Sequence, residues 1–179
     1  TCFVQHTMAS AERTLADGRV VHKVLEYLPM ISKLFLGGLG EPSAHPLFSE
    51  ILERGSGKVC FLTNGLFLDS FDASVIIKNA LGFNVSLDAA SGEMYSLMRA
   101  DECCFVKIAG SLKKIIHLRG ASRTPAVSIS FVIAKRNAPE VRAFIDLALD
   151  IGVDSVILHM LNNFKYNVSK VFEYFTENT

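Results

Sequence analysis

The sequence predicts an α/β fold with a parallel sheet, on three observations. Short runs rich in Val, Ile, Leu and Phe recur along the chain, helix-patterned segments separate them, and polar residues with glycine fall where successive runs end. Runs this apolar are expected of parallel strands buried on both faces.

Residues 19–28 carry a helical pattern, and the first strand is expected at 33–37. It leads straight into Gly38-Leu39-Gly40-Glu41-Pro42. The next helix, 46–54, starts on Pro46 and stops at Gly55, the usual places for these two residues. Strand 58–63 then meets Thr63-Asn64-Gly65, where Asn-Gly suits a turn with positive φ. Helical pattern covers 70–80, strand 83–88 follows, and 91–99 and 106–118 are again helical. Strand 126–134, helix 138–151 and strand 154–159 complete the order. Asn137 with Glu140 three positions later suits a capping box at the start of that last helix, and Gly152 closes it. There is no repeat, linker or low-complexity tract, so residues 1–179 read as one domain.

Composition bounds what such a domain does. The chain has 179 residues, half of them hydrophobic, enough for a substantial core. Lys plus Arg and Asp plus Glu both total 18, so no long-range basic field exists to draw in nucleic acid or acidic lipid. Apolar runs such as 126–134 are far shorter than a bilayer span, and the amino end lacks a charged-then-apolar signal pattern. Cys2, Cys60, Cys103 and Cys104 show no disulfide framework of the secreted kind, which suits reduced thiols. A soluble, cytoplasmic domain is expected.

Function should reside where parallel strands end, because ligands collect beyond their carboxyl ends. Five successive strand ends carry polar residues: 38–42, Thr63-Asn64-Gly65, Ser86-Leu87-Asp88, Asn137 and His159. At the first, Gly38 and Gly40 admit close approach of a ligand to the main chain, Pro42 stiffens the exit and Glu41 offers a carboxylate to an ammonium group. A cationic or zwitterionic small molecule fits that end. Each of the others has a bland alternative: a turn for Asn64, a helix cap or solvated strand end for Ser86 and Asp88, an N-cap for Asn137, a partly buried histidine for His159. His6, His22, His45 and His117 lack metal-ligand spacing, and Cys103-Cys104 reads as packing.

Taken together, Cys2, Gly38-Leu39-Gly40-Glu41-Pro42, Thr63-Asn64-Gly65, and Val85-Ser86-Leu87-Asp88-Ala89 with Glu93, Tyr95 and Arg99 resemble the radical S-adenosylmethionine enzymes. The stretch from Asn137-Ala138-Pro139-Glu140 through Ala148, Gly152 and Val153 is similar to the family's fifth strand, helix and sixth strand. The resemblance spans nearly the entire chain. It implies a partial (βα)6 TIM-type barrel with a parallel sheet, open on one side, whose first strand this chain lacks.

By that resemblance the cofactors are a 4Fe-4S cluster, held by a C-x-x-x-C-x-x-C loop, and S-adenosylmethionine on the iron the loop leaves free. Cys2 looks like the third cysteine of the loop, the first two lying before Thr1, so the sequence is expected to be truncated at its amino end. Thr1 stands where the family often has an aromatic residue. Glu41 and the carbonyls around Gly38 and Gly40 would accept from the methionyl ammonium. Ser86 would lie near the methionyl carboxylate or ribose, Arg99 would counter the carboxylate, Asp88 would reach the ribose hydroxyls, and Asn64 would edge the same pocket. The implied partners are an external one-electron donor and a small-molecule or peptide substrate; no catalytic residue is assigned from sequence.

Two other readings stay open. A conventional βα-barrel enzyme would use Glu41, Asp88 and His159 for acid-base work, and a non-catalytic scaffold would use none of them. The aromatic tail with Phe164, Tyr166, Phe172, Tyr174 and Phe175 is expected to pack.

Overall fold

A computed structural model describes residues 16–38, 40–99 and 102–160. Cys2, Leu39 and the aromatic tail lie outside the described residues. All five expected strands form: β1 (Leu34–Leu36), β2 (Val59–Thr63), β3 (Ala80–Ser86), β4 (Ala126–Ile133) and β5 (Ser155–Met160). They pair in parallel in the order β1-β2-β3-β4-β5.

That order decides the architecture. When every parallel strand is laid beside the previous one in the same direction, right-handed crossovers put every connecting segment on one face. The side chains agree. Phe61 of β2 packs edge-on against Phe48 of α2 (Phe48–Arg54) at 5.2 Å, and Phe131 of β4 meets Phe144 of α6 (Val141–Ile151) at 4.7 Å. Phe83 of β3 stacks on Phe61 in register, their rings 7° from parallel. Val59, Phe61, Val85, Val127, Ile129 and Phe131 are sealed from solvent on that side. This is a half-barrel wall, apolar outward against helices.

The expectation of strands apolar on both faces therefore needs correction. Alternation sends Asn84, Ser86, Ser128 and Ser130 to the opposite face, which no described helix covers. Apolar runs were misleading because Phe, Val and Ile on the helix side dominate each stretch.

The helices start where local chemistry supplies caps. Asp17 accepts from the Arg19 N–H ahead of α1 (Gly18–Tyr27), Asp72 from the Ser74 N–H ahead of α3 (Ala73–Asn79), and Ser91 from the Met94 N–H ahead of α4 (Gly92–Met98). The fifth of the described helices, α5 (Glu102–Arg119), is the longest of them, and α6 ends on Gly152 at φ 83°. Two sequence expectations shift here. Helix α2 begins at Phe48 rather than Pro46, after a short 3-10 turn at Pro42–Ala44. The capping box at Asn137 and Glu140 does not form; both side chains are drawn across to the loop that follows β3, as described below.

At the opposite, amino-terminal edge of the sheet, Arg119 and Asp154 lock α5 to the start of β5. Arg119 Nη1 donates to Asp154 Oδ2 at 2.5 Å and to the Pro125 carbonyl at 2.7 Å, while the Val127 N–H donates to Asp154 Oδ2 at 2.7 Å. Burial opposes the charge on Asp154, but the Arg119 guanidinium and the Val127 N–H outweigh it and hold the carboxyl below the usual carboxylate range. Its contribution is thus fully present above the unfolded carboxylate pKa of about 3.9 and is lost as pH falls through the lower folded value. Asp154→Asn is expected to lower unfolding stability by about 3 kcal/mol at neutral pH, since it strands a buried guanidinium. Urea titrations across pH 7 to 2 should also show a shallower loss of stability on acidification in the variant than in the parent.

Candidate functional site

The site forms at the carboxyl edge of the sheet, from two clusters. The first lies beyond β1 and β2. Glu41 follows the glycine-rich exit of β1, and its Oε1 accepts from the Ser43 hydroxyl at 2.7 Å, the Ser43 N–H at 3.3 Å and the Thr63 hydroxyl at 2.8 Å. Its Oε2 accepts from the Asn64 N–H at 2.8 Å. A carboxylate offers about four acceptor positions, so Oε1 is saturated and Oε2 keeps room for one more donor.

Neighbouring backbone holds this arrangement. The Gly65 N–H donates to the Thr63 hydroxyl at 2.9 Å, and the Asn64 side-chain oxygen accepts from the Leu66 N–H at 2.9 Å, turning Asn64 back onto its own turn. Gly65 has φ 81°, and a Cβ there would stand 2.8 Å from Val85 Cγ1 and 3.1 Å from Ile108 Cγ2. Gly38 has φ 129°, and among the described residues, chain neighbours aside, nothing lies within 4 Å of where a Cβ would sit on it or on Gly40. The strand end is open next to a fixed carboxylate.

The second cluster lies beyond β3. Arg99, at the end of α4, donates from Nε to Asp88 Oδ2 at 2.8 Å and from Nη2 to Ser86 Oγ at 2.5 Å, and Nη2 also pairs with Asp88 Oδ2. Asp88 Oδ1 accepts from the Val132 N–H of β4 at 2.7 Å. The Asp88 side chain is 8 % exposed and that of Arg99 20 %, so this ion pair is largely withdrawn from water. Asp88 stands at φ 59°, a conformation that Asp tolerates better than most residues. Beneath Arg99, burial pushes the Tyr95 phenol up, against the pull of the guanidinium.

Two residues that sequence reasoning assigned to a cap complete the cluster. Asn137 is fully buried; its Nδ2 donates to the Asp88 and Val132 carbonyls at 3.0 and 2.9 Å, and its Oδ1 accepts from the Ala134 N–H at 2.7 Å. Glu140 accepts from the Ala90 N–H at 2.7 Å and the Ser91 hydroxyl at 2.5 Å. Together they tie the β4–α6 connection to the β3–α4 loop. A lone Asn before a Pro-containing turn gives no hint of a partner 49 residues away.

Of the sequence-predicted residues, then, Gly38, Gly40, Glu41 and Asn64 share one cluster and Ser86, Asp88 and Arg99 the other. Strand spacing puts β1 and β3 roughly 10 Å apart, the span of a mid-sized ligand. His159 sits on β5 opposite Val132, exposed rather than partly buried, and at the far edge of the sheet from Glu41. The acid-base set of Glu41, Asp88 and His159 is not gathered into one constellation, and both carboxylates already serve backbone and side-chain donors. Among the described residues, no group of three or more His, Cys, Asp and Glu is placed to hold a metal ion.

Comparison with known proteins finds the same fold elsewhere. SuiB of Streptococcus suis superposes with TM-score 0.65 over 93 % of this chain and 41 % of its own, at 14 % identity. The chain shares the fold of SuiB, an open parallel sheet of the partial TIM-barrel type. SuiB has also been solved with its precursor peptide SuiA (TM-score 0.65, 14 % identity, 92 % of this chain and 40 % of that one) and with S-adenosylmethionine (TM-score 0.57, 14 % identity, 89 % and 39 %). By sequence, the chain is 25 % identical over 173 residues to a tungsten-containing aldehyde ferredoxin oxidoreductase cofactor-modifying protein of Pyrococcus furiosus, covering 89 % of this chain and 47 % of that protein. The chain thus spans about half the length of that curated relative. No family model matches it.

At this edge, Asp88→Asn keeps side-chain shape and the left-handed backbone but leaves Arg99 without its countercharge. It is expected to cost about 2 kcal/mol in chemical denaturation, by loss of a charge-assisted bond at a largely buried pair. A change under a few tenths would show that Asp88 does not hold this edge together.

Proposed function

We propose that this chain forms the core of a radical S-adenosylmethionine enzyme, with S-adenosylmethionine lying across the carboxyl edge between the two clusters. The observation that carries the reading is the open main chain at Gly38 and Gly40 beside a carboxylate with one unused acceptor position. That pairing suits an ammonium group, which needs acceptors at close range and no bulk on the backbone facing it. The likeness to SuiB, which is known with this cofactor, supports it.

In this reading Glu41 Oε2 and the carbonyls near Gly38 and Gly40 take the methionyl ammonium. Arg99 faces the carboxylate, held in orientation by Asp88 rather than left to sample rotamers. The Ser86 hydroxyl accepts from Arg99 and keeps its own proton to donate toward carboxylate or ribose. Asp88 retains one acceptor position on Oδ1 for a ribose hydroxyl, and Asn64 borders the pocket through its turn.

Cys2 is the cluster ligand this sequence offers, as one thiolate of three. When bound together, the 4Fe-4S cluster and S-adenosylmethionine would supply one-electron reductive cleavage of a carbon-sulfur bond and hydrogen abstraction from a substrate. The chain's own residues bind, orient and exclude water. An external one-electron donor feeds the cluster, and the substrate is a small molecule or a peptide, the latter favoured by the peptide complex of SuiB. No described helix is long and apolar enough to cross a membrane, and the reduced thiols suit a cytoplasmic setting.

The test is made on the full-length protein. Anaerobic loading with iron and sulfide is expected to give a paramagnetic cluster signal that S-adenosylmethionine perturbs, with 5′-deoxyadenosine released on reduction. Glu41→Ala should weaken S-adenosylmethionine binding about tenfold, the loss of one charged hydrogen bond. An unperturbed signal together with unchanged affinity in Glu41→Ala would overturn the proposal.

A further inference from the structure

The inner face of the sheet carries side chains that neither cluster at its carboxyl edge uses. Register places Asn84 of β3 beside Ser128 of β4, with Ser130 one inward-facing position further along. Asn84 Nδ2 donates to Ser128 Oγ at 2.9 Å, and Ser128 Oγ passes its own proton to the Phe83 carbonyl at 3.3 Å. Ser130 Oγ donates to Asn84 Oδ1 at 2.8 Å. Because the Ser128 proton is committed to a carbonyl, Ser128 can only accept from Asn84, and the amide orientation is set.

The interior of a closed barrel is ordinarily filled by branched aliphatic side chains. Here the middle strands present an amide and two hydroxyls beside the apolar Leu62 of β2 and Val132 of β4, and further apolar groups stand at the flanks. Phe35 of β1 is 63 % exposed and Ile157 of β5 39 % exposed on this face, with Leu62 of β2 between Phe35 and Asn84. No Asp, Glu, Lys or Arg stands on the inward-facing positions of the five strands. The charged groups are confined to the two edges.

We propose that Asn84, with Ser128 and Ser130 fixing its amide, is a specificity-determining residue that takes an uncharged carboxamide of the substrate. Asn84 uses one N–H and one lone pair internally, leaving one donor and one acceptor side by side. Another amide matches both at once. A carboxylate has no donor for Oδ1, an ammonium has no acceptor for Nδ2, and either charge would be desolvated on this face without a countercharge. The exposed Phe35 and Ile157 suit an apolar body attached to that amide. A peptide backbone and an isolated carboxamide share this chemistry. The inference rests on the radical reading for what happens to the bound group, but not for its binding.

Saturation-transfer NMR on the full-length protein tests it, using four probes: N-acetyl-trialanine N-methylamide, hexanamide, hexanoate and hexylammonium. One or both amide probes are expected to bind and neither charged probe. Binding of the trialanine alone assigns the site to peptide backbone, and of hexanamide alone to an isolated carboxamide. Asn84→Leu and, independently, Ser128→Ala should each weaken amide binding about tenfold, with melting curves confirming that each variant folds. Charged probes that bind as well as amides, amide binding unchanged in both variants, or no binding by any probe overturns the inference. S-adenosylmethionine titrated into the same samples separates the two readings: amide binding without cofactor binding defeats the radical reading alone.

Discussion

One carboxylate, Asp88, sets the geometry of the working edge. Its two oxygens face different directions, one to the Val132 N–H on the neighbouring strand and one to Arg99 at the end of the following helix. Its carbonyl is held by Asn137 from a third segment. A side chain that joins strand, helix and loop in this way removes their independent motions at once. Loss of the pairing would leave a guanidinium in a largely dry setting, which is why the arrangement is costly to break and hence stiff.

The two edges of the sheet divide the labour. At the amino-terminal edge, Arg119, Asp154 and the Val127 N–H bond to one another and contribute stability, with Arg119 Nε buried and unpartnered among the described residues. At the carboxyl edge the groups are also internally bonded, but each keeps some capacity in reserve: an acceptor on Glu41, a proton on Ser86. Fixed geometry with spare valence is what preorganised binding requires, since the ligand then meets groups that need not be reordered.

The alternation of strands and helices was legible in the sequence, because Val59, Phe61, Val85, Ile129 and Phe131 mark the three middle strands, Leu34, Leu36 and Val156 mark the outer two, and Gly55 and Gly152 end the helices they follow. The approximate place of the candidate site was legible too, since glycine and a carboxylate at a strand end have few structural uses. What escaped was long-range. Asn137 and Glu140 have the spacing of a local cap, and only the folded chain brings Asp88, Ala90 and Ser91 within reach as better partners. The polarity of the inner face was hidden for a related reason: single serines between large apolar residues look like noise until strand register lines them up.

Gly65 carries a consequence that reaches beyond its turn. Its missing Cβ is the space that Val85 and Ile108 occupy, so the Asn64–Gly65 peptide, next along the chain from the one that presents the Asn64 N–H to Glu41, is pressed against the hydrophobic interior. Ile108 belongs to α5 and has no polar atom near the mouth. Enlarging or trimming it would nevertheless tilt that peptide and change how Glu41 is aimed. Affinity for the proposed ligand is therefore open to adjustment from remote apolar positions, a route by which ligand preference could drift while every polar residue at the rim stays the same.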